Sequence, residues 1–89
     1  MTLRVFNNQT PQLGKDVYID NSAVVIGAVT LGDNVSIFPT AVIRGDVEKI
    51  TIGQNTNVQD GAILHVSHQG KFSDVGHPLN IGKSVTIGH

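Results

Sequence analysis

The chain has 89 residues, of which 15% are charged and 4% aromatic, and a formal net charge of −1. Its six Lys and Arg residues are scattered, which excludes the basic footprint of a nucleic-acid or anionic-membrane binder, and the lack of cysteine excludes disulfides and thiolate metal sites. At this length a domain buries only about 60% of its unfolded surface, so part of its stability must come from neighbours.

The opening MTLRVFNNQTP has no apolar run long enough for a signal peptide, and the rest of the chain has no apolar stretch of ~18 residues suited to a membrane helix. The chain reads as a soluble, cytoplasmic protein. Residues 1–12 read as an N-terminal cap segment, with Leu3, Val5 and Phe6 in a short strand across the open bottom of a coil that begins at Leu13, because a solenoid needs its terminal repeat covered.

From Leu13 the sequence divides into sixes: LGKDVY, IDNSAV, VIGAVT, LGDNVS, IFPTAV and IRGDVE. Each unit opens on an aliphatic residue, and small or β-branched residues such as Val35, Ala41 and Val47 come four places later. A period of six is neither the 3.6 of a helix nor simple alternation, and a fixed self-similar period marks a solenoid. Residues 49–51 interrupt the count, after which IGQNTN, VQDGAI and LHVSHQ restore it. Residues 70–80, GKFSDVGHPLN, hold Gly, Pro, Ser and Asp without periodicity and read as a loop thrown out of the coil. IGKSVT then resumes the ladder at Ile81.

The openers are Leu13, Ile19, Val25, Leu31, Ile37, Ile43, Ile52, Val58, Leu64, Ile81 and Ile87, aliphatic without exception. Coil starts also resemble one another, with LGKDV, LGDNV, IGQNT and IGKSV at Leu13, Leu31, Ile52 and Ile81, which sets three hexads per coil. The recurring Gly suits a corner where a side chain would hinder the bend. The expectation is an all-β parallel β-helix over residues 13–89, with three parallel sheets around an aliphatic interior, an incomplete last coil and almost no helix.

This pattern resembles the hexapeptide-repeat proteins, whose fold is a left-handed parallel β-helix assembled as a trimer. The stretch IRGDVEKITIGQNTNVQDGAILHVSH, with a loop and IGKSVTIGH after it, resembles the γ-class carbonic anhydrase-like family in particular. The resemblance implies reversible hydration of carbon dioxide to bicarbonate at a subunit interface. In it, histidines hold Zn²⁺, or another divalent metal such as Fe, Co or Ni, and a metal-bound hydroxide attacks the carbon. Carried onto this chain, the metal ligands are His65 and His89. Gln59 would bond the metal-bound water or the product, and Asn57 would support that pocket. Arg44 and Asp46 would form charge-assisted pairs across the trimer contact with Asp60, and Arg44 would orient the product.

The register tests this set geometrically. Arg44 lies 13 places after Leu31 and His65 lies 13 after Ile52, so they share a column on the third side. Asp60 and His89 each lie 8 places after their coil starts, Ile52 and Ile81, in a column on the second side. Zinc needs its nitrogen ligands at about 2.0 to 2.1 Å, which two sides of one prism do not offer. Two chains side by side would, and this favours the homotrimer independently. In the family a third histidine comes five residues after the second, at what would be position 94. This sequence supplies two of the three ligands, so it reads as a C-terminally truncated form with impaired activity.

His68 falls at an inward position and reads as satisfied by backbone or supporting His65. His77 reads as a loop residue. The loop holds one acidic residue, Asp74, which argues against efficient proton export. Two other functions compete with the anhydrase. One is a hexapeptide-repeat acyltransferase, for which His77 is the available base. The other is a non-catalytic trimeric scaffold or small-ligand binding module.

Overall fold

An aliphatic residue at every sixth position can face one interior only if the chain turns a corner each hexad, and the computed structural model, which describes residues 2–66 and 78–89, shows that coil. Its strands are β1 Thr2–Arg4, β2 Gln12–Leu13, β3 Tyr18–Ile19, β4 Val24–Leu31, β5 Ser36–Ile37, β6 Val42–Ile52, β7 Asn57–Val58, β8 Ile63–His65, β9 Leu79–Ile81 and β10 Thr86–Ile87. Every pairing between them is parallel. No helix occurs among the described residues, so none is long and apolar enough to cross a membrane.

The first side stacks β2, the end of β4, the end of β6, and β9. The second side stacks β3, β5, β7 and β10 as a four-stranded sheet. The third side stacks β1, the start of β4, the start of β6, and β8. Three separate sheets were the expectation, whereas the third and first sides form one six-stranded sheet. The reason is local. Strands β4 and β6 turn the corner at Gly27 and Gly45 without breaking, and Gly27 does so at φ 75°, where a side chain is strained and a Cβ would meet the Gly45 carbonyl oxygen at 2.6 Å.

The interior is the hexad interior. Val25, Leu31, Ile37, Ile43, Ile52 and Val58 are fully buried, joined by Val29, Val35, Ala41 and Ile50 from the second inward position of each unit. Leu13 is exposed, and Leu64, Ile81 and Ile87 are half-buried, because among the described residues each has a paired strand on one side only. Thr56 is the buried polar side chain among the described residues. Its hydroxyl donates to the Gly82 carbonyl at 2.8 Å and accepts from the Val85 amide at 3.1 Å, so neither role is lost on burial.

Three segments differ from the sequence reading. The N-terminal strand does not cross the bottom of the coil; β1 extends the third side in register, with Leu3 opposite Val25. Residues 6–9 then form a tight turn closed by reciprocal Phe6 and Gln9 backbone bonds, with Asn7 and Asn8 both at positive φ as a two-residue turn requires. The interruption in β6 also sits earlier than residues 49–51. Gly45 pairs with Gly27 and Ile50 with Val29, so residues 46–49 form a bulge opposite Ala28, and Ile50 is the residue buried opposite Val29. The expected loop ends sooner too, since Leu79 and Asn80 already pair with Ile50 and Thr51. His68, Asp74 and His77 lie outside the described residues.

Below the second side, Asp20 accepts bonds from the Ser22 amide and hydroxyl and from the Tyr18 hydroxyl. The Ser22 amide, then the Ser22 and Tyr18 hydroxyls, hold its carboxyl below the usual carboxylate range, and that same carboxylate raises the Tyr18 phenol. A carboxyl depressed on folding adds stability above its unfolded value and loses it as pH falls through the folded one. Melting temperature should therefore decline as pH drops below about 4, and less steeply in Asp20→Asn; identical slopes in thermal scans would contradict this.

Candidate metal and product-binding site

The third side carries a column in which Arg44 of β6 lies directly beneath His65 of β8. Alternation along a strand sends both side chains outward, because Ile43 and Leu64 just before them point in. Arg44 Nε donates to His65 Nδ1 at 3.2 Å and lies 3.6 Å from Asp46 Oδ2. Asp46 Oδ1 stands 3.7 Å from the same imidazole nitrogen. Asp46 follows Gly45 at the start of the bulge, two residues beyond Arg44. Its Oδ1 is buried without a hydrogen-bond partner.

The second side carries another polar column. Asn57 pairs in register with Thr86 and donates to its hydroxyl at 3.2 Å. Gln59 spends its amide donor on the Asn57 side-chain oxygen. Asp60 and His89 come two residues after Val58 and Ile87, which pair with each other, and both are exposed.

The structure thus brings Arg44, Asp46 and His65 together on one side, and gathers Asn57 and Gln59 near Asp60 and His89 on another. His65 and His89 are not brought together within one chain. Arg44 and Asp46 pair with each other inside the chain, and no ion pair among the described residues joins either of them to Asp60. Among the described residues no three His, Cys, Asp or Glu side chains cluster closely enough to hold a metal ion. Two features escaped the sequence reading. Asn57 and Gln59 share a hydrogen bond, for which their i, i+2 spacing on one face was the available signal. Asp46 lies beside His65, for which no signal in the hexad count was available because the bulge breaks that count.

Fold and column together define a β-solenoid of the hexapeptide-repeat class. No family profile matches the chain. Over 87 residues it is 52% identical to the Protein YrdA of Escherichia coli, covering 98% of this chain and 47% of that protein. It is 46% identical over 77 residues to a probable carbonic anhydrase of Methanocaldococcus jannaschii, covering 86% of this chain and 44% of that one. The crystal structure of a hexapeptide transferase family protein from Anaplasma phagocytophilum superposes with a TM-score of 0.81 at 38% identity, over 99% of this chain and 47% of that one. A named carbonic anhydrase and a hexapeptide transferase family protein are thus among the relatives of this β-solenoid, and the chain spans less than half the length of each of these matches.

Proposed function

We propose that this chain contributes to a γ-carbonic-anhydrase-like site for reversible hydration of carbon dioxide, built between copies packed as a homotrimer. The observation that carries the reading is the placing of His65 and His89 on different sides of one prism, each outward and solvent-accessible.

The donors present fit a divalent transition ion shared between chains, because imidazole suits Zn, Fe, Co and Ni and the third side of one copy can face the second side of the next. They do not fit an ion held within one chain. Bound there, the ion would lower the pKa of water to about 7 and so supply hydroxide at neutral pH.

The protein's own residues then have distinct tasks. His65 and His89 hold the ion. Gln59 has its amide N–H groups turned toward Asn57, so its carbonyl oxygen is the end left to accept a hydrogen bond from water or from the hydroxyl of bicarbonate. Asn57, itself bonded to Thr86, fixes that orientation. Arg44 offers the guanidinium that matches the two oxygens of a carboxylate-like product. Asp60 borders the His89 column as an acceptor for the facing chain.

Metal content tests the reading. Protein purified without chelator should carry a divalent transition metal, and His65→Ala should lose most of it. Full retention of metal by His65→Ala would sink the proposal.

A further inference from the structure

Arg44, Asp46 and His65 meet on the outer surface, yet their hydrogen-bonding roles as they stand oppose ligation. A guanidinium has only N–H donors, so the 3.2 Å contact from Arg44 Nε makes His65 Nδ1 an acceptor. A neutral imidazole that accepts at Nδ1 keeps its proton on Nε2, and an N–H group has no lone pair for a metal. Ligation through Nε2 requires the opposite tautomer, with the proton on Nδ1 and an acceptor to hold it.

Two acceptors lie near that nitrogen: the Arg44 carbonyl oxygen at 3.4 Å and Asp46 Oδ1 at 3.7 Å. The carboxylate oxygen has the unused capacity. It is buried without a hydrogen-bond partner, a condition that costs free energy until a donor arrives. The other oxygen, Oδ2, already faces Arg44 Nε at 3.6 Å. If the guanidinium turns fully onto Oδ2, Nδ1 is released and both carboxylate oxygens gain donors.

We infer that Asp46 is a positioning residue: it accepts the Nδ1–H of His65, fixes the tautomer whose Nε2 lone pair takes a divalent transition metal, and draws the competing Arg44 donor away. The inference rests on the reading of His65 as a ligand. Asp46 stands at the start of the bulge at residues 46–49, with its Oδ1 3.7 Å from the imidazole Nδ1. Partners of this kind that orient a ligating histidine commonly change metal affinity by about 10–100-fold.

The experiment is a zinc titration of the whole chain by calorimetry, with proton–nitrogen correlation spectra of the imidazoles, in wild type, Asp46→Ala and Asp46→Asn. Zinc is expected to move the His65 proton from Nε2 to Nδ1. Asp46→Ala should weaken zinc binding by about 10–100-fold. Asp46→Asn, near-isosteric and with a carboxamide oxygen that still accepts, should recover most of the loss. If Asp46→Ala binds zinc as tightly as wild type, or if zinc-bound His65 keeps Nδ1 unprotonated, the role of Asp46 is overturned while His65 stands as a ligand. If zinc leaves the His65 resonances of the wild type untouched, the ligand reading falls and the inference falls with it.

Discussion

His65→Ala is expected to lower carbon dioxide hydration by more than about 10³-fold, because free water, with a pKa near 15.7 against roughly 7 beside a bound metal, supplies almost no hydroxide at neutral pH. The loss should be chemical rather than structural. His65 is an exposed residue on the outer face of β8, and its bond to Arg44 is a surface contact between partly exposed side chains. Such contacts are worth under ~1 kcal/mol. Circular dichroism should therefore match the wild type, as should melting temperature once both proteins are stripped of metal, while stopped-flow hydration does not. Activity within threefold of wild type would mean that the reaction runs elsewhere.

Gly53→Ala is expected to destabilise the fold by about 2–3 kcal/mol, at the upper end of what overpacking costs. Gly53 belongs to the corner column Gly14, Gly32, Gly53 and Gly82, in which one coil's backbone lies directly on the next. A Cβ at Gly53 would stand 2.6 Å from both the Gly82 carbonyl carbon and the Lys83 nitrogen. Neither atom belongs to a side chain that can swing away. Relief requires the coils to separate, which weakens the 2.8 Å bond from the Gly53 amide to the Ile81 carbonyl. Gly82 supplies the control, because its nearest neighbour for an added Cβ is Val85 Cγ2 at 4.0 Å. Gly82→Ala should shift stability by less than about 0.5 kcal/mol. Equal effects at the two positions in denaturant unfolding would contradict the coil stacking.

That same column shows what the sequence disclosed. The opener Gly at Gly14, Gly32, Gly53 and Gly82 announced the coil length, and aliphatic openers such as Val25, Ile37 and Val58 announced the interior. Both signals are legible because a coil repeats one packing problem, and the same residue type solves it each time. The pairing of Arg44 with His65 came from equal offsets within that frame. The insertion was less legible. Three surplus residues can be counted between Ile43 and Ile52, but which ones leave the ladder is decided by pairing, and Ile50 won its inward place opposite Val29 over the polar residues Asp46 and Glu48. The merging of two sides into one sheet was hidden too, since it depends on the backbone path through Gly27 and Gly45 rather than on residue period. Side-chain choices such as the bond from Gln59 to Asn57 are only half legible, because i, i+2 spacing sets two residues on one face without deciding whether they bond to each other or to solvent.

A metal site closed between chains, with His65 from one and His89 from the next, is tested most directly by subunit mixing. His65→Ala and His89→Ala should each bind little metal alone. Co-assembled in equal amounts, a site re-forms wherever a chain that keeps His65 abuts one that keeps His89. In a random head-to-tail ring that is about one quarter of the contacts, so metal content and hydration should return to about one quarter of the wild-type level. No recovery in mixed assemblies shown to contain both chains, with each variant alone as inert as the mixture, would contradict a shared site.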